Sequence, residues 1–134
     1  MADPNSNGAP WLQYARGDLG AAERMLNESF PEPRHACYLA QQAAEKALKA
    51  VLVYLGMDYP LSHNLNFIRD RIPIGWSLKA THPELGDLAA WAIVGRYPTD
   101  MREATIADAQ TACAQARSVL ESVAVDLKAH GFPT

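Results

Sequence analysis

Gln42, Glu45, Lys46 and Lys49 stand at helical spacing inside "CYLAQQAAEKALKAVLVYLG", residues 37–56, a stretch that is otherwise almost wholly apolar. At 100° per residue the four side chains fall within about a third of a helix circumference, and His35 and Tyr38 extend the same stripe. Two readings are open. The stripe is either a solvated edge, with Glu45 and Lys49 forming an i,i+4 ion pair contributing a few tenths of a kcal/mol, or one wall of a cleft shared with polar residues at other helix ends. In either case a helix apolar on every other face must run near the centre of its domain.

The rest of the chain is read for what would position that stripe. At 134 residues, with 49% hydrophobic and 20% charged residues, it has the size and composition of one globular domain and not of a disordered chain. The expected organisation is a flexible tail over residues 1–9 and one helical domain over 10–134. Pro10 can open a first helix that runs from Trp11 to about Glu28, with Trp11, Ala15, Leu19, Ala22 and Leu26 on one face. Prolines 31 and 33 break the chain, and a second helix from about Arg34 to Leu55 stops at Gly56.

Ser62 is expected to cap a short helix carrying Leu65, Ile68 and Ile72, followed by a loop through Trp76 and Lys79. "PELGDLAAWAIVG" repeats Leu85, Leu88, Ala89 and Ala92 at helical spacing before Pro98. In the last helix Thr105 and Asp108 match a capping box, and Ile106, Ala109, Cys113, Ala116, Leu120, Val123 and Leu127 form a stripe ending at Gly131 and Pro133. No segment reads as a strand. The fold class is therefore all-α, an up-and-down bundle of four to five helices with two long central members.

Several function classes lose support. A net charge of −3 argues against non-specific coating of nucleic acid, which needs many lysines and arginines to displace counterions. The longest apolar run, Ala50 to Leu55, falls far short of the roughly 20 residues that cross a bilayer, and "MADPNSNGAP" lacks a signal-peptide plan, so a cytoplasmic chain with no membrane association is expected. Cys37 and Cys113 read as buried free thiols. His35 and Cys37 point in different directions on a helix, and no paired metal-ligand spacing, glycine-rich phosphate loop or GxSxG elbow occurs, so neither metal nor cofactor is expected.

"ACYLAQQAAEKALKAVLVYLG", then "SHNL" at 62–65 and "RYP" at 96–98, resembles the HEPN family, whose name refers to a nucleotide-binding domain of higher eukaryotes and prokaryotes. "YARGDLGAAERML" and "ADAQTACAQARSVLESV" are similar to its first and last helices. The resemblance implies a compact helical bundle, commonly a homodimer, and either a metal-independent RNase toxin or a non-catalytic partner of a minimal nucleotidyltransferase. RNase members carry an arginine followed, after four to six intervening residues, by a histidine. Here Arg96 leads into "YPTDMREA", without a histidine at that spacing, which weighs against catalysis.

Arg96 could still hold phosphate through its planar fork. Tyr97 could stack on a base, or simply pack between helices. His63 is the candidate to exchange protons in place of the missing histidine, if it faces Arg96; its simpler role is to anchor the loop at a helix start. A nucleotide or RNA site would thus draw on Arg96, Tyr97 and His63 together with Gln42, Glu45, Lys46 and Lys49. The leading expectation is a HEPN-like module in a toxin–antitoxin type system, paired with a minimal nucleotidyltransferase and binding nucleotide or RNA. The alternatives are an endoribonuclease using Arg96 and His63, and a purely structural dimeric bundle. The "AA" pairs at 21, 43 and 89 permit close helix approach in a self-associating bundle.

Overall fold

The computed structural model describes residues 8–94 and 103–134. Six helices follow one another: α1 (Gly8–Leu26), α2 (Pro33–Tyr54), α3 (Leu65–Asp70), α4 (Leu78–Thr81), α5 (Gly86–Val94) and α6 (Ile106–Ala129). No strand occurs among the described residues. The three long helices, α1, α2 and α6, pack as a bundle, and α5 closes another side of α2.

The centre belongs to α2, because 14 of its 22 residues are buried. Ala36, Ala40, Ala43, Ala44, Ala47 and Ala50 are all fully buried. Their short side chains let the α1 and α6 backbones come close, while Leu48, Val51, Leu52 and Tyr54 fill the wider parts of the core. Leu12, Ala15, Leu19 and Ala22 of α1 lie against this surface, as do Ala109, Ala112, Ala116, Val119 and Val123 of α6. Lys46 of α2 pairs with Asp18 of α1, and Arg117 of α6 holds Glu23 of α1 in a two-point ion pair. Cys37 and Cys113 are both buried and neither is in a disulfide, as their surroundings in the sequence suggested.

Helix ends follow local chemistry. Gly56, at φ 68°, lets α2 finish with Gly56 N–H donating to Val53 O (3.0 Å) and Met57 N–H to Leu52 O (2.9 Å). Gly131, at φ 84°, ends α6 the same way, through Lys128 O and Leu127 O. At the start of α6 the capping box is complete: Asp108 N–H donates to Thr105 Oγ1 at 3.1 Å and Thr105 N–H to Asp108 Oδ2 at 2.9 Å.

Three local expectations are corrected. The cap of α3 is Asn64, whose Oδ1 accepts from Phe67 N–H (3.2 Å); Ser62 instead accepts from Asn64 N–H (3.0 Å), one layer further out. The segment read as a loop through Lys79 contains the one-turn helix α4, because Asp126 of α6 reaches across, taking Leu78 N–H at 2.8 Å and the Ser77 hydroxyl. That carboxylate is contributed from 48 residues away in the chain, so no local pattern marks the helix. Ile106 is exposed despite its place in the apolar stripe of α6, since it lies in the first turn, before the helix meets the core.

Candidate functional site

The charged stripe is not a solvated edge. Glu45 and Lys49 form the ion pair their spacing predicts, Nζ to Oε2 at 3.1 Å, but each residue is only 5% exposed. What covers them is the connection from α2 to α3. His63, next to the α3 cap, has Nδ1 2.7 Å from Glu45 Oε1, and Gln41 Nε2 donates both to that same oxygen (3.1 Å) and to the His63 carbonyl (3.2 Å). Gln42 reaches the group at one remove, donating to Gln41 Oε1 at 2.7 Å. Lys49 Nζ also lies 5.5 Å from the centre of the Tyr59 ring, which meets Trp11 edge-on at 4.8 Å.

A carboxylate can only accept hydrogen bonds, so the His63 nitrogen facing Glu45 must carry the proton. In the neutral ring that leaves Nε2 as an acceptor, and it has no hydrogen-bond partner among the described residues. Burial pushes the Glu45 carboxyl up, but the hydrogen bonds from His63 and Gln41, together with the charge and hydrogen bond of Lys49, outweigh it and hold the group below its ordinary 4.5. Glu45 therefore stays an anion, with its two oxygens divided between the imidazole and amide on one side and the ammonium on the other. An imidazole oriented by a buried carboxylate can accept a proton, accept a hydrogen bond or stack.

The His63 side chain is about half exposed and stands on one wall of a groove of about 460 Å³. Asn64 and Asn66 share that wall, and Gly86, Ala89, Ala90 and Ile93 of α5 line the other. Asn66 is fully engaged: Oδ1 accepts from Arg69 (2.7 Å) and from Leu85 N–H (2.8 Å), and Nδ2 donates to Glu84 Oε1 (3.0 Å).

Of the sequence candidates, the structure brings Glu45, Lys49 and His63 into one cluster, with Gln42 behind them. Lys46 pairs instead with Asp18 of α1 and stays outside the cluster. Arg96 and Tyr97 lie outside the described residues. His35 is exposed, beside Arg34, and takes no part in the cluster. Arg69 is buried, with its guanidinium spent on the carbonyls of His82 (2.8 Å) and Pro83 (2.7 Å) and on Asp70, while Lys79 donates to Ile72 O. Sequence reasoning missed Gln41, which is fully buried and joins Glu45 to His63. Its position four residues before Glu45 was the available signal.

Among the described residues no group of three or more histidine, cysteine or acidic side chains is placed to hold a metal, and no helix is long and apolar enough to cross a membrane.

Comparison with known proteins agrees with this architecture. The family model described as HEPN domain matches residues 9–126. The crystal structure of TT1696 from Thermus thermophilus is similar over 90% of this chain and 98% of that one, with 26% sequence identity and a TM-score of 0.76. No curated protein matches the chain. With the family model spanning the bundle from α1 into α6, including the α2 stripe and the histidine that closes over it, the chain belongs to the HEPN domain family.

Proposed function

We propose that this HEPN domain is the binding member of a two-protein system of the toxin–antitoxin type: a homodimer that pairs with a minimal nucleotidyltransferase and takes up nucleotide or RNA. The observation that carries the reading is the buried Glu45 carboxylate holding His63 at the edge of a groove on the protein surface. A buried carboxylate on the half-exposed imidazole, itself held by Gln41 and Lys49, is more than loop anchoring requires, since Asn64 alone already caps α3. Family membership supports the nucleotide or RNA component. Arg96, two positions after Val94 in the chain, would add a phosphate contact.

A second reading is a metal-independent endoribonuclease in which His63 moves protons and Arg96 orients phosphate. It is favoured by the same carboxylate–imidazole pair, an arrangement suited to a general base. Incubating wild type, Arg96→Ala and His63→Ala with RNA and a chelator separates the two. Retention of RNA without cleavage, lost in either variant, supports the module, whereas cleavage lost in both supports the enzyme. Co-purification with the product of an adjoining nucleotidyltransferase gene tests the partner. A chain that neither retains RNA or nucleotide nor co-purifies with such a partner ends the proposal.

A further inference from the structure

We infer that the trough between α1 and α6 is a docking seat for a partner protein, and that its occupant is an amphipathic helix with an acidic flank. The inference goes beyond the reading above, since the trough is built from helices that the His63 groove does not use.

The shape is that of a seat for a third helix. α1 contributes Arg16, Leu19, Gly20 and Glu23, and α6 contributes Arg117, Leu120, Glu121 and Ala124, each set spaced i, i+3, i+4 and i+7. Each helix therefore turns one continuous face to the trough, which encloses about 280 Å³. Leu19 and Leu120 are buried and form its floor, while Gly20 and Ala124 keep both walls low. A helix laid into such a furrow finds apolar anchorage along its centre and polar contacts along its edges.

Gly20 is not explained by the packing of the chain itself. It stands in the interior of α1, where glycine costs about 1 kcal/mol relative to alanine. Among the described residues, a Cβ there would meet only the flexible end of Arg24, at 3.2 Å. The gap it leaves opens into the trough and admits an approaching backbone.

The charges select the partner. Arg117 is spent on Glu23 in a two-point ion pair, and Glu121 lies within its electrostatic reach. Arg16 gives one N–H to Thr134 O at 2.8 Å and keeps the rest of its donors. Arg24 lays its guanidinium back toward Gly20 and has no side-chain partner among the described residues. These two arginines stand about one turn before and one turn after Gly20, so a helix running along the trough meets them with carboxylates one to two turns apart. A uniform polyanion such as a nucleic acid strand fits less well, because Glu23 and Glu121 line the same walls. A helix can separate the two signs, with acidic residues toward α1 and neutral or basic ones toward Glu121.

The test uses the ¹⁵N-labelled full chain and two synthetic amphipathic peptides as long as α1. Both carry the same strip of alanine and leucine, flanked by glutamates in one and by lysines in the other. The glutamate peptide is expected to shift the backbone amide signals of Gly20, Leu120 and Ala124 and to bind at least about tenfold tighter than the lysine peptide, with the preference shrinking as salt is raised. Arg16→Glu combined with Arg24→Glu is expected to reverse that preference. Gly20→Leu fills the trough while favouring the helix, so it should melt no lower than wild type and bind the glutamate peptide about tenfold more weakly. Equal binding of the two peptides, or none, would overturn the inference, as would a Gly20→Leu protein that binds normally. A single-stranded RNA that shifts the same amides more strongly than the glutamate peptide would overturn it too. So would a dimer, seen by sedimentation velocity, that Gly20→Leu dissociates, because the trough would then belong to a second copy of the chain.

Discussion

Replacing Glu45 by alanine should be among the most damaging single changes available in this chain. The carboxylate accepts from His63, Gln41 and Lys49, and Lys49 is only 5% exposed. Removing it strands a buried ammonium group, a loss of about 3–5 kcal/mol when one partner of a buried pair is deleted. For a domain of this size each kcal/mol corresponds to roughly 4 °C, so the melting temperature should fall by about 12–20 °C. Removing both charges is different, because no uncompensated ion remains: Glu45→Met combined with Lys49→Met should recover most of the loss. Gln41 would keep the His63 carbonyl as an acceptor in that double variant.

Acid should act in the same direction. The Glu45 carboxyl sits below its ordinary 4.5, so its contribution is fully present above that value and disappears as pH falls through the lower value of the folded state. Urea unfolding of wild type, Glu45→Met, Lys49→Met and the double variant, followed by circular dichroism, gives the cycle directly, with Glu45→Ala measured alongside. A Glu45→Ala cost under about 1 kcal/mol, or a double variant as unstable as the sum of the singles, would refute the buried-pair argument.

Other parts of the structure make independent predictions. Arg69→Met should cost about 2–4 kcal/mol by chemical denaturation, since the carbonyls of His82 and Pro83 lose a charged donor; a cost below about 1 kcal/mol would mean water replaces it freely. Thr105→Ala should cost about 1 kcal/mol and Thr105→Ser should restore most of it, whereas equal effects of the two would deny the capping box. Burial, with the Glu23 charge, pushes the Cys113 thiol up to about 11, against a weaker opposing effect of Arg117. Native Cys113 should therefore react with iodoacetamide at pH 8 about a hundredfold more slowly than in urea, and equal rates would place the thiol in solvent.

Much of the bundle was legible because its signals are local. Pro33, Gly56 and the alternation of alanine with larger aliphatic residues mark α2, and Thr105, Asp108 and Gly131 bound α6 almost to the residue. What escaped depends on side chains that meet across long separations. Asp126 builds α4 from the far helix, and Glu45 reaches His63 across 18 residues, so neither contact has a periodicity to read. The stripe itself was visible, yet its division was not: Lys46 and Lys49 lie on one helix face but answer to different neighbours, Asp18 and Glu45. Gln42 shares the helical spacing of Glu45, Lys46 and Lys49, yet Gln41, fully buried, carries the direct contacts.

The proposed ligand site depends most directly on where the His63 proton sits, and long-range ¹H–¹⁵N correlation of the neutral imidazole ring measures it. With Glu45 accepting at Nδ1, the spectrum should show a protonated Nδ1 and an unprotonated Nε2, and Glu45→Ala should release the ring to a mixture of the two forms. A wild-type ring protonated at Nε2 would mean that Glu45 does not hold this histidine, and the acceptor facing the groove would be gone.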